Sequence, residues 1–244
     1  MDNEEMLRCL RVAARELASK RSIRDLQLTL AHIVEAAVET IPPVEAGGIS
    51  LTEDGGVTSQ HPTSEAVREL DGLQSRLQEG PCITAMIDPP EDGIVVALDL
   101  GGKDAERWPG FAPTAVEMGL RSLMSTQLSS EGGPRAALNL YAAEPEAFDA
   151  EARLMAGLFG VQVAMLLYGA EQARHLQQAV DSRDLIGQAK GILMERFALD
   201  DDGAFRMLVR SSKDTNMKLV EVARWLHDEA TQKAAVPEEG PPAR

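Results

Sequence analysis

The chain has 244 residues, 44% of them hydrophobic and only 4% aromatic, enough apolar material for one large core or two smaller ones. A formal charge of -15 excludes indiscriminate binding to nucleic acid, whose affinity rests on lysine and arginine set against phosphates. Two cysteines, Cys9 and Cys82, supply neither a disulfide framework nor metal-ligand spacing, so a reducing cytoplasm is the expected compartment.

The opening "MDNEEMLRCL" is charged and lacks the apolar centre of a signal peptide. No run of consecutive apolar residues reaches the roughly 18 of a membrane span, and no membrane partner is expected. Residues 4–19 read as a helix, with Leu7, Leu10, Ala14 and Leu17 at three-four spacing. Ser22 is placed to cap a second helix carrying Leu26, Leu30, Ile33 and Ala37, which ends before Pro42-Pro43. "GGISLTEDGGVTSQ" reads as two strands around an Asp54-Gly55-Gly56 turn. "SEAVRELDGLQSRL" is helical, and "EGPCITAMI" opens a short helix after Gly-Pro. "GIVVALDL" is a strand, and a helix follows Pro113. "RSLMSTQLSS" and "RAALNLYAAE" are strands joined by the turn Glu131-Gly132-Gly133-Pro134.

From Phe148 to Phe197 the pattern is helical throughout. Leu154, Leu158, Val161, Met165 and Tyr168 keep the four-three alternation of a coiled-coil seam, which weakens at Gln172 and His175 and resumes at Ala179. Two readings follow: the helix packs on its own sheet, or it pairs with a second copy and makes a homodimer. Within "LIGQAKGILMERF", Gly187 and Gly191 lie four apart on one face, each costing about 0.5–1 kcal/mol against alanine in a helix interior. The expectation is that another backbone approaches there: a ligand, another helix of the same domain or a second copy of the chain, with Gly187 serving helix packing and Gly191 and Lys190 facing the ligand as the favoured reading.

Asp200 or Asp201 caps the next helix, 202–212, which is expected to bury Phe205, Leu208 and Val209. "KDTN" breaks it. Asn216 is expected to cap a third helix that turns Leu219, Val222, Ala223 and Leu226 inward, with Trp225 beside that stripe as core. Residues 234–244, "AAVPEEGPPAR", read as a disordered tail.

No catalytic constellation is present, and no enzyme activity, cofactor or metal is expected. His32, His61, His175 and His227 form no metal or nucleophile motif. Asp99, Asp200, Asp201 and Asp202 suit a strand-end turn and a helix start better than a metal site. Cys82 is the one ligand-sensing candidate; the plainer reading is a small buried hydrophobe.

Charge is unevenly placed. Residues 1–180 hold 14 Lys and Arg against 27 Asp and Glu, whereas residues 181–233 hold 9 against 10. In that near-neutral segment Arg206, Arg210 and Lys213 stand at i, i+4, i+7 on one face. Arg183 and Lys190 share a face of the preceding helix, and Lys218 starts the following one. Ser211, Ser212, Thr215 and Asn216 add short polar groups at the junction. Such a set can hold phosphates and hydrogen-bond base edges.

"AKGILMERF" followed by "DDDGAFRMLVRSSKDTNMKLVEVARWLHD" resembles an ANTAR domain, over about residues 175–232. The carriers are Ala189, Lys190, Gly191, Met194, Ala204, Phe205, Leu208, Arg210, Ser212, Asn216, Lys218, Leu219, Val222 and Ala223. Lys213 departs from the glutamine that members often carry. "GGISLTEDGG", "LQSRLQEGPC", "ERWPGFAPTAVEMGLRSLMSTQL" and "AALNLYAAEPEAFD" resemble the GAF domain that precedes ANTAR in actinobacterial-type regulators. The resemblance implies an α+β GAF domain, a central antiparallel sheet with flanking helices, followed by an all-α three-helix ANTAR domain, joined by a long coiled-coil-like helix. The expected divisions are an N-terminal helix at 1–20, the GAF sensor at 21–170, the ANTAR domain at 171–233 and the tail at 234–244. The family implies a transcription antitermination regulator: the ANTAR domain binds paired stem-loops of nascent RNA and prevents an overlapping terminator from forming. Its RNA-binding residues would be Arg183, Ala189, Lys190, Gly191, Arg206, Arg210, Ser212, Lys213, Asn216 and Lys218. The GAF domain would take an unknown small-molecule or protein signal. Two rivals stand beside this reading. One is a protein-binding signalling module acting through the GAF domain and coiled coil. The other is a DNA-binding regulator, for which helix 216–230 carries too few cations against Glu221, Asp228 and Glu229.

Overall fold

The computed structural model describes residues 23–53, 56–128 and 135–235. The helix expected at 4–19 and the turns at Asp54-Gly55 and Glu131–Pro134 lie outside the described residues, as do residues 236–244 of the expected tail. The chain divides into two compact units, Met1–Ala170 and Glu171–Arg244.

In the first unit, α1 (Ile23–Thr40) leads into β1 (Ala46–Glu53) and β2 (Gly56–Gln60). Next come α2 (Glu65–Leu77), α3 (Pro81–Ile87), β3 (Ile94–Ala97) and α4 (Ala112–Glu117). β4 (Ser122–Gln127), β5 (Ala136–Ala142) and the long α5 (Ala150–Phe197) complete the series. The five strands form one antiparallel sheet in the order β2-β1-β5-β4-β3. β5 is central and every residue in it is buried, so its side chains alternate between two apolar layers. Leu138 and Leu140 face α1 and the start of α5, packing with Ile33, Val34, Met155 and Ala156. Ala137 and Tyr141 face α2, α3 and α4, packing with Val67, Leu70, Cys82 and Phe111. Gly160 of α5 lies so close to β4 that an added Cβ would stand 2.7 Å from Thr126 Cγ2. That approach lets the helix lie on the sheet.

The outer side of α5 is apolar and open: Leu154, Val161, Met165 and Tyr168 are exposed, as are Leu176 and Val180 further along. By length and composition alone α5 is long and apolar enough to cross a membrane. Its inner residues Ala152, Met155, Ala156 and Val163 belong to the core of the first unit.

In the second unit the C-terminal part of α5 packs with α6 (Asp201–Thr215) and α7 (Leu219–Ala235). The core is small: Ala189, Leu193, Ala204, Leu208, Val222, Ala223 and Leu226 are buried. Asp200 caps α6 by accepting from Gly203 N–H at 2.7 Å. Asn216 does not cap α7. It ends α6 in the left-handed region (φ 55, ψ 29), and the Met217 N–H closes the turn on Ser212 O at 3.2 Å. α7 is started instead by Glu221, whose Oε2 accepts from Lys218 N–H at 3.0 Å. α7 runs to Ala235, so the helix takes in the first two residues of the expected tail.

Candidate functional site

The first unit concentrates its chemistry inside. α2 turns Val67, Leu70, Asp71 and Gln74 inward along one stripe, so an acid and an amide enter an apolar layer. Asp71 is met there by side chains distant in sequence. Its Oδ1 accepts from Tyr141 Oη–H at 2.6 Å and Asn139 Nδ2 at 3.1 Å, and its Oδ2 from Ser59 Oγ at 2.8 Å. Asn139 also donates to Ser50 Oγ at 2.9 Å and accepts from Ser125 Oγ at 2.8 Å. Gln74 Nε2 donates to Tyr141 Oη at 3.1 Å, and Gln74 Oε1 accepts from Cys82 N–H at 2.9 Å. That last bond needs Gly80: its φ of 128 lies in the left-handed half, and a Cβ there would stand 2.2 Å from Gln74 Oε1.

No cation pairs with Asp71 among the described residues. Burial pushes its carboxyl up to about 6, and the three hydrogen bonds hold it from rising further. Burial, reinforced by the charge of Asp71, pushes the Cys82 thiol up to about 12. A fully buried thiol held protonated is a poor nucleophile, and Cys82 packs as a core group of this unit.

The second unit places its chemistry outside. Arg206, Arg210 and Lys213 are all exposed along α6, and Arg183 and Lys218 are exposed as well. Arg210 is loosely paired with Asp214 at 3.7 Å, both side chains in solvent. The remaining predicted residues fare differently. Ala189 is fully buried against α6 and α7 and cannot touch a ligand, because at its position the helix faces the core. Lys190 has a side chain only 22% exposed and is bound to Asp201 at 2.5 Å. Ser212 donates its hydroxyl to Met217 O at 2.6 Å and Asn216 serves as the C-cap, so both also hold the α6–α7 turn. Gly187 and Gly191 have nothing within 4 Å of an added Cβ. The expected packing of a helix at Gly187 is therefore absent among the described residues; both glycines lie open with Arg183 on one exposed side of α5.

Two aromatics were misplaced by periodicity. Phe205 is 42% exposed and Trp225 62% exposed, and Val209 is only half-buried. The pair Ala204 and Leu208 fills the core, leaving the next position along the helix outside. Among the described residues no group of three or more His, Cys, Asp or Glu is arranged to hold a metal ion.

The sheet, in the order 2-1-5-4-3, lies between α1/α5 and α2–α4, with a polar centre under α2. A GAF domain model matches residues 24–167 and an ANTAR domain model matches residues 174–226, so the chain belongs to the GAF domain family and carries an ANTAR domain after it. Solved structures agree on the fold. The bacteriophytochrome RpBphP3 from the photosynthetic bacterium R. palustris superposes with a TM-score of 0.53 at 13% identity, over 79% of this chain and 43% of that one. The fRMsr of Staphylococcus aureus in its reduced form gives 0.51 at 14% identity, over 68% of this chain and 96% of that one. This chain thus spans less than half the length of the phytochrome. No curated protein sequence matches it. A GAF sensor ahead of an ANTAR domain defines a signal-sensing ANTAR regulator of the antitermination kind.

Proposed function

We propose that the protein is a cytoplasmic, non-catalytic antitermination regulator whose ANTAR unit binds paired stem-loops of nascent RNA. A signal received by the GAF unit sets whether it does so. One observation carries the RNA reading: the row Arg206, Arg210 and Lys213 is exposed on α6 of the ANTAR unit, with Lys218 exposed just beyond the α6–α7 turn. Phosphate contacts from these cations supply affinity, and the polar turn reads unpaired loop bases. The strongly acidic first unit discourages non-specific RNA contacts. The open apolar side of α5 supports a homodimer, which would let one molecule engage both stem-loops. The signal must favour one of two arrangements of the protein, since a ligand that binds both equally shifts nothing.

The test is a titration of the full chain with a two-stem-loop RNA, the same RNA with scrambled loops, and duplex DNA, at several salt concentrations. The intact RNA is expected to bind tightest. Arg210→Ala and Lys218→Ala are expected to weaken binding and to lower the salt slope by about one unit per lost phosphate contact. Equal binding of all three nucleic acids overturns the reading.

A further inference from the structure

We propose that Phe205 is the platform on which an unpaired loop base of the RNA stacks, with Arg206 and Arg210 holding the adjoining backbone. This rests on the RNA-binding reading above and adds to it a base-recognition subsite.

The ring is the part of α6 that the core does not need. Ala204 and Leu208 are buried, while Phe205 stands outside them, 42% exposed. It forms one wall of an open groove of about 390 Å³ whose other walls are Arg206, Val209, Arg210, Lys213 and Asp214. The groove thus joins an aromatic face, an aliphatic floor and three cations. Flat apolar faces beside guanidinium groups are how proteins hold splayed bases: stacking binds the base, and the cations bind its phosphates. A packed peptide would be served equally well by a groove without cations, and a phosphate alone would not need the ring. Asp214 is held off at 3.7 Å from Arg210 in an exposed pair that an incoming phosphate can replace. The acidic first turn, Asp201 and Asp202, precedes Phe205, so the cationic stretch runs from Phe205 toward the α6–α7 turn.

Trp225 provides the contrast. It is the more exposed aromatic, yet Glu221, Asp228 and Glu229 stand one turn to either side of it on α7, against the single neighbouring cation Arg224. A phosphate backbone is repelled there. Surface aromatic area therefore does not decide between them; the charge around it does.

The experiment uses the full chain and the two-stem-loop RNA, with 2-aminopurine replacing each loop base in turn. Binding is expected to quench the fluorescence at one loop position. Phe205→Leu, which keeps the apolar bulk, is expected to abolish that quench and weaken binding roughly 5- to 100-fold while leaving the salt slope unchanged. Phe205→Trp restores both the quench and the affinity. An abasic site at the quenched position costs the wild type a similar factor and costs Phe205→Leu nothing further, because both remove the same contact. The proposal is overturned if Phe205→Leu binds as the wild type does, or if its loss adds in full to that of the abasic RNA. In either case the RNA reading survives so long as Arg206→Ala and Arg210→Ala still weaken binding and lower the slope. A wild-type chain with no preference for the stem-loop RNA overturns both.

Discussion

The two units handle polar chemistry in opposite ways. The GAF unit draws Asp71, Gln74, Asn139 and Tyr141 into its interior and satisfies them there, under two apolar layers of 18 buried residues each. The ANTAR unit closes around seven buried apolar residues and leaves Arg206, Arg210, Lys213 and Lys218 in solvent. A buried network of short hydrogen bonds responds as a whole when one member changes charge or partner, which suits a sensor. A small core bearing an exposed cation row suits a surface that must meet a large polyanion. The difference also locates where each unit is vulnerable: the sensor through its protonation, the output domain through the thinness of its core.

The largest effect is expected from the thin core. Leu208→Ala removes one of its few large side chains and should cost about 2–5 kcal/mol. That is a large share of what so small a unit can have. Calorimetry is expected to show the helical unit melting early, with RNA binding lost, while the transition of the sheet-containing unit stays in place. A uniform downward shift of both transitions would break the division into a robust and a thin unit.

Asp71 tests the other side of the comparison. Its folded carboxyl is raised to about 6, above its unfolded value, so its contribution to stability is fully present only below about pH 4 and is lost as pH rises through 6. Asn at this position can still accept from Tyr141 and Asn139, and can donate to Ser59. Asp71→Asn is therefore expected to be more stable than the wild type at neutral pH. The gap should widen by about 1–1.5 kcal/mol between pH 5 and pH 7 and stay flat above that. Denaturant titrations at four pH values measure it. A gap independent of pH would mean that the folded carboxyl is not raised and Asp71 ionises as it does in the unfolded chain; a gap still widening above pH 7 would mean that it keeps its proton there.

These two sites differ in how far the sequence exposed them, for a physical reason. The strands and helices were legible because period-two and three-four patterns are local, and the order of the two domains came from the family resemblance of the quoted segments. Asp71 was invisible because its partners Ser59, Asn139 and Tyr141 lie 12, 68 and 70 residues away, and only strand pairing brings them under α2. On α6 the cation row was readable from spacing, but the exposure of Phe205 was not: a three-helix core is narrow, and Ala204 and Leu208 suffice to fill it. Asn216 was read as opening α7 because Asn caps helix starts. It also tolerates the left-handed conformation that closes them, and the Ser212–Met217 bond selects that role. Lys190 is assigned to RNA from its place beside Gly191, and its pairing with Asp201, 11 residues on, leaves no local sign in the sequence.

The open side of α5 sharpens the comparison through assembly. If Met165 and its exposed neighbours form a seam between two copies, Met165→Glu places like charges against each other across it. The sedimentation coefficient is expected to fall to that of a monomer. RNA with two stem-loops should lose its advantage over RNA with one, since that advantage is an effective concentration and needs no new contact. A monomeric wild type would remove the seam from the proposal and leave the cation row standing.

The smallest effects belong to the glycines of α5. With nothing within 4 Å of a Cβ at either position, Gly187→Ala and Gly191→Ala are each expected to raise stability by about 0.5–1 kcal/mol, the helix-propensity difference alone. Among the described residues neither glycine has a neighbour to accommodate. On the RNA reading they admit a backbone from outside, so the same substitution that raises the melting temperature of the second unit should lower RNA affinity at Gly191, next to Lys190. Stability and binding then move in opposite directions, which damage to the fold cannot produce. If both variants gain stability and bind RNA unchanged, this side of α5 is not part of the interface, and recognition is confined to α6 and the turn that follows it.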